Sequence, residues 1–279
     1  QVTASDFVFG MRRIMDPATA ARYASLLFPI KNAHAINTGK MNPDAIGVVA
    51  LDSKTVEITL ESPVPFFTQL LAHYTTYPIP QHAFAVHGED WVKAGNMVTN
   101  GAYVLQEWVT NSHVKVSKNP KFYDAANVAI DTVFYYPIED SRTGLKMFET
   151  GELHTNLMTA GFPSTMLEDV TQRLPDEARV VPSLGNRFLP MNTSKPPFND
   201  KRVRKAVSML VDREIINDRI VSVGARSAYA FVPPETANHQ AGAQVDFVSM
   251  AMPDRIAEAK RLLAEVGYSV DNPLRFELS

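Results

Sequence analysis

Two histidines and a carboxylate lie close together in this sequence, His82, His87 and Asp90, and their types could hold a metal ion. Zinc needs ligands that converge from one side, and histidines five residues apart share neither a helix face nor a strand face. They read as polar surface residues. Glu139 and Asp140 offer the paired carboxylates that glycoside hydrolysis uses across a ligand. Neighbours on one segment point apart, so a solvated turn capping the next helix accounts for them better. Lys201, Arg202, Arg204 and Lys205 cluster at a helix start, with Asp200, Asp212 and Glu214 nearby. No aromatic platform interleaves with these cations, which makes a solvated helix face the simpler account than a phosphate or nucleic-acid contact. Asn192-Thr193-Ser194 fits a glycosylation acceptor, a triplet common by chance.

The sequence contains no G-x-S-x-G elbow, H-E-x-x-H pair, phosphate loop or dinucleotide-binding glycine pattern, so no catalytic constellation stands out. It also has no cysteine, which excludes thiolate metal sites and cysteine nucleophiles. No metal or cofactor is implied. With 27 basic and 30 acidic residues in 279, the net charge of -3 supplies no excess of positive surface for nucleic acid or an anionic membrane. Tyrosines, phenylalanines and tryptophans, among them Tyr23, Tyr74, Trp108 and Phe188, are spread along the whole chain. Core packing and the lining of a polar ligand cleft both use such residues.

Several elements must position these groups. Thr3-Ala4-Ser5-Asp6 has capping-box spacing, with Phe7, Met11 and Ile14 on one face of the helix it opens. Helical propensity continues over 18–27 and again to about Met41. Residues 48–51 and 56–60 read as a hairpin about Asp52-Ser53, a helical run covers 66–74, and a boundary is expected near residue 82. A second hairpin joins 103–108 and 113–118, and 132–136 forms a further strand. A helix over 141–150 closed by Gly151, then a strand at 154–157, suggests α/β layering. Residues 187–192 read as a strand, Val203, Val207 and Leu210 as one buried helix stripe, and 215–224 as another helix. The cleanest helix is 254–266, with Ile256, Ala259, Leu262, Leu263 and Val266 facing inward. Gln1-Val2 carries no leader features, and the alternation over 272–279 stops within a strand pattern, so both ends are expected to be cut.

The ordered segments resemble one family, the periplasmic oligopeptide- and dipeptide-binding proteins of ABC importers, extracellular solute-binding protein family 5. Val2-Thr3-Ala4-Ser5-Asp6-Phe7-Val8 is similar to its helix entry, Asp16-Pro17 with Tyr23-Ala24-Ser25 to its continuation, and Pro63-Val64-Pro65-Phe66-Phe67 to its post-hairpin helix. Asn96-Met97-Val98-Thr99-Asn100-Gly101-Ala102-Tyr103, Lys118-Asn119-Pro120 and Gly151-Glu152-Leu153 continue the match. Pro197-Phe198-Asn199-Asp200-Lys201-Arg202-Val203-Arg204 with Asp212-Arg213 is its most specific stretch, nearest the oligopeptide branch.

The resemblance implies an α/β, two-lobed, three-domain periplasmic-binding-protein-like fold (type II), present here as a truncated fragment. Residues 1–82 would form part of a smaller accessory domain, 83–184 part of lobe I and 185–279 the beginning of lobe II. It implies capture of a short peptide, held extended by main-chain hydrogen bonds and delivered to the importer's permease subunits by a periplasmic monomer, or by a cell-surface lipoprotein in a Gram-positive source. The alternatives are a non-peptide solute (sugar, metal chelate, haem or opine) on the same scaffold and, more remotely, a secreted hydrolase. By position it assigns ligand contact to Tyr23, to Thr159, Ala160 and Phe162 in a cleft-lining loop, and to Asn186, Arg187 and Phe188 on a strand beside the peptide. Gly185 replaces the branch's usual hinge cysteine, and Val221 stands where the branch offers a lysine to a peptide carboxylate. The acidic anchor for the peptide amine falls outside these residues, so the 279 residues alone are expected to bind weakly.

Overall fold

Helix α1, Ala4–Met15, starts where the sequence places it. The Thr3 backbone N–H and hydroxyl both donate to the Asp6 carboxylate, at 2.8 and 2.9 Å. The other Asp6 carboxylate oxygen accepts the Gln81 N–H at 3.2 Å, tying the helix start to a distant segment. Burial pushes the Asp6 carboxyl up, but the hydrogen bonds from Thr3 and Gln81 outweigh it and hold the group below its ordinary value. A carboxyl with a lowered folded-state pKa contributes stability that is present above its unfolded value, about pH 4, and is lost as pH falls through the folded value. Asp6→Asn is therefore expected to cost about 1 kcal/mol at neutral pH and to flatten the acid limb below about pH 4. Thermal midpoints of both proteins from neutral to acid pH check this, and parallel curves would exclude Asp6 as the responsible group.

The computed structural model describes residues 1–156, 163–181, 184–221, 225–239 and 244–277. They divide into two units, Gln1–Pro137 and Ile138–Ser279. The first unit has its core where α1 meets the short helix α2, Ala33–Asn37, and the hairpin of β1, Val48–Ala50, with β2, Val56–Ile58. Met15, Leu27, Ile30, Ile36 and Val48 are fully buried there, with Phe67 of α3, Phe67–Leu70, beside them. The buried stripe of α1 is Val8, Met11 and Met15; Phe7 and Ile14 lie on its flanks, half-buried. At Gly47 three backbone segments meet: its N–H donates to the Lys31 carbonyl and its carbonyl accepts from Thr59. An added Cβ would lie 2.7 Å from Lys31 Cβ and 2.8 Å from the Thr59 carbonyl oxygen, so no larger residue fits without displacement.

Helix α4, Gln81–His87, follows. Three antiparallel strands come next, β3, Tyr103–Val109, β4, His113–Lys118, and β5, Thr132–Tyr135, in that spatial order. A register shift between Leu105 and Glu107 bulges β3. Buried Asn119 closes this region: its amide donates to the Gly101 carbonyl at 2.8 Å and its carbonyl accepts Lys121 N–H at 3.0 Å, which joins the Thr-Asn-Gly and Lys-Asn-Pro motifs physically. One sheet face is apolar, with Leu105, Trp108, Val114 and Val116 lining an open cavity of about 360 Å³.

In the second unit, Asp140 caps α5, Ser141–Glu149, accepting from the Thr143 N–H and hydroxyl at 2.8 Å each, as the capping reading of Glu139-Asp140 expects. Helix α6 is Leu167–Arg173. Asp200 caps α7, Lys201–Leu210, and the Arg202 guanidinium beside it draws its carboxyl down to about 2. Three of the four clustered cations are tied within the protein rather than simply solvated: Arg202 to Asp200, Arg204 to the Phe198 carbonyl and Lys205 to Asp246. The one-turn helix α8, Arg213–Ile215, is followed by α9, Met252–Ala264, which packs on α7.

Several expectations need correction. Residues 18–27 form two short 3-10 turns, Pro17–Thr19 and Ala24–Leu27, because the Asp16 carboxylate caps the first and Ala20 takes a left-handed conformation at its end. The run over 66–74 is divided between α3 and a 3-10 turn, Tyr74–Thr76. The buried stripe of α7 is Val203, Ala206 and Met209 rather than Val203, Val207 and Leu210; Ala206 and Ala259 are both fully buried, and small residues let the two helices approach closely. After α8 the chain loosens into a π turn, Ile216–Val221, within the expected helix 215–224. Residues 154–156 and 187–192 run outside any ladder, since an extended segment becomes a strand only when its backbone groups are paired.

Candidate functional site

Tyr23 precedes the turn Ala24–Leu27, its carbonyl accepting the Leu26 N–H at 3.1 Å, and its ring stays 41% exposed. Two other rings hold it. The His73 ring lies 5.3 Å from it and the Tyr74 ring 5.9 Å, edge-on, while His73 and Tyr74 are 4.1 Å apart. His73 Nδ1 accepts the Thr75 N–H at 3.3 Å, which in the neutral ring puts the proton on Nε2. Desolvation and a hydrogen bond with the Tyr23 hydroxyl raise the Tyr74 phenol, and the charge on Arg22 opposes them.

Asn186, Arg187 and Phe188 form a second group. The Asn186 amide donates to the Phe231 carbonyl at 2.9 Å and less closely to that of Ala230. Phe188 meets Phe231 at 5.3 Å, with both rings mostly exposed. Arg187 is exposed. The segment that receives Asn186 is anchored one residue earlier by Tyr229, whose hydroxyl donates to Glu214 at 2.5 Å and accepts from Arg255 at 2.8 Å. The Arg213 and Arg255 guanidinium carbons lie 5.2 and 5.1 Å from the centre of the Tyr229 ring, and both also face Phe247. Arg255 itself is buried, its remaining N–H groups turned to the carbonyls of Met250 and Val248. Burial and the bond to Glu214 raise the Tyr229 phenol, against the pull of Arg255.

Thr159, Ala160 and Phe162 lie outside the described residues. His73, Phe231 and the Tyr229 clamp escaped the sequence reading, which named Tyr74 only among the aromatic residues spread along the chain. Only Asp212-Arg213, within the most specific motif, pointed toward the clamp. Among the described residues no three histidine, aspartate or glutamate side chains come together as metal ligands, and no helix is long and apolar enough to cross a membrane. Each group, described by itself, presents exposed aromatic rings with hydrogen-bonding groups beside them, and the second adds the exposed cation Arg187.

Solved structures match along nearly the whole chain. The Haemophilus influenzae protein OppA in complex with the peptide RPPGFSPFR is 34% identical with a TM-score of 0.87, over 99% of this chain and 54% of that one. The Escherichia coli murein tripeptide binding protein MppA is 34% identical with a TM-score of 0.87, over 98% of this chain and 53% of that one. These likenesses define the class: the chain has the α/β fold of periplasmic peptide-binding proteins and spans about half of it. Residues 1–278 match the bacterial extracellular solute-binding proteins, family 5 Middle, and the chain belongs to that family. Among curated relatives, the probable deoxycholate-binding periplasmic protein YgiS of Escherichia coli is 41% identical and the periplasmic oligopeptide-binding protein OppA of the same organism 38%. Each alignment covers 99% of this chain and 51% of the relative.

Proposed function

We propose that this chain is part of a periplasmic binding protein that captures short peptides and hands them to the permease subunits of an ABC importer, acting as a monomer and without catalysis. The observation that carries this reading is the family match over residues 1–278, with a peptide-bound relative of the same fold among the solved structures. In this reading residues 1–82 belong to an accessory domain, 83–184 to lobe I and 185–279 to lobe II. Tyr23 and Asn186, Arg187 and Phe188 contact the peptide, joined by Thr159, Ala160 and Phe162.

Binding that relies on backbone groups and charged termini suits a receptor for many sequences, since every peptide carries them. Calorimetric titration of the complete protein with mixed tri- to pentapeptides is expected to give heat and a rise in thermal midpoint. Tyr23→Ala is expected to weaken binding about tenfold, as loss of an aromatic contact of about 1.4 kcal/mol would. Absence of heat with every peptide would end the proposal. A second reading, an amphipathic steroid acid as ligand, is favoured by the 41% identity to a protein named as probably deoxycholate-binding. Mass spectrometry of small molecules released on denaturation distinguishes the two.

A further inference from the structure

We propose that Tyr74 extends the ligand surface at Tyr23 into a platform that selects peptides carrying an aromatic side chain. This rests on the peptide-capture reading above. The rings of Tyr23, His73 and Tyr74 touch one another pairwise, at 5.3, 5.9 and 4.1 Å, so the orientation of each is limited by the other two. The backbone beneath is equally fixed. The buried Thr76 hydroxyl lies 2.8 Å from the Leu71 carbonyl and 2.9 Å from that of His73, and Thr75 holds the imidazole.

A large ring held this firmly while 58% exposed is a surface ordered before any ligand arrives, so little side-chain freedom is lost on binding. Aromatic rings attract one another in offset or edge-on contact at centroid separations of about 4.5–7 Å, which a Phe, Tyr or Trp side chain of a peptide would satisfy and an alanine would not. The phenol groups of Tyr23 and Tyr74 add donors and acceptors at the rim of the same surface. Nothing in the sequence singles out Tyr74; its contact with Tyr23 does.

The test is calorimetry of the complete protein with Ala-Ala-Ala, Phe-Ala-Ala, Ala-Phe-Ala and Ala-Ala-Phe, repeated with Tyr74→Leu and Tyr74→Phe. At least one phenylalanine peptide is expected to bind about tenfold tighter than Ala-Ala-Ala. Tyr74→Leu is expected to reduce that preference to about twofold, with the phenylalanine peptides losing several times more affinity than Ala-Ala-Ala, and Tyr74→Phe to retain the preference. Equal binding of all four peptides by the parent overturns the inference while leaving peptide capture intact. So does a preference that survives Tyr74→Leu, or a loss spread evenly over the four. If none of the four binds, the inference fails, while peptide capture is decided separately by the titration with mixed tri- to pentapeptides.

Discussion

Arg255→Ala is expected to destabilise the second unit by about 3–5 kcal/mol, the cost of dismantling a buried charged group among its partners. The Arg255 side chain is only 7% exposed. Its guanidinium donates to the carbonyls of Met250 and Val248 and to the Tyr229 hydroxyl, and it lies over two aromatic rings. Alanine removes the donors, leaves the carbonyls without their partner and opens a hole between Tyr229 and Phe247. Lysine restores the charge but not the planar fork that stacks and donates together, so Arg255→Lys should recover less than half of the loss. Urea unfolding followed by far-UV circular dichroism provides the measurement. A midpoint for Arg255→Ala indistinguishable from the parent would show that the clamp contributes nothing. Because Tyr229 precedes the carbonyls that receive Asn186, the same variant should also loosen the segment carrying Asn186, Arg187 and Phe188.

Leu27→Ala should act on the first unit with comparable force, costing about 2–5 kcal/mol. Leu27 has no exposed surface and packs with Met15, Ile30 and Ile36 where α1, α2 and the first hairpin converge. Its 3-10 turn, fixed by successive backbone bonds, has little freedom to collapse into the space left behind. Leu51, 60% exposed in the hairpin turn, is the internal control: Leu51→Ala should change stability by less than about 0.5 kcal/mol. If the two substitutions shift the urea midpoint equally, the position of the core has been misassigned.

The sequence was most informative where local chemistry and periodicity agree. The α1 start, the Asp140 cap, both hairpins and the long helix ending before Gly267 are all local decisions, written in adjacent residues. It was least informative where a partner distant in sequence decides. The buried faces of α1 and α7 each differ from the expected stripe at two of three positions, because packing against Val48 or Ala259 selects the face, not the helix alone. Arg255 illustrates the same limit: a cation on a helix reads as solvent-facing, and its burial is made tolerable by Tyr229, 26 residues away, together with the carbonyls of Met250 and Val248. At the candidate site the family resemblance supplied Tyr23 and Asn186, Arg187 and Phe188. The rings beside them emerged only from tertiary proximity.

The chain has two tryptophans, Trp91 and Trp108, and both belong to the first unit. Trp108 stands on the open apolar sheet face at 63% exposure, so its emission should already be shifted to the red in the folded protein. Indole fluorescence is therefore a built-in reporter for one unit alone. Loss of structure around Arg255 would leave it unchanged if the units melt separately, whereas a transition seen at the same urea concentration by indole emission and by circular dichroism would mean that they unfold as one cooperative body.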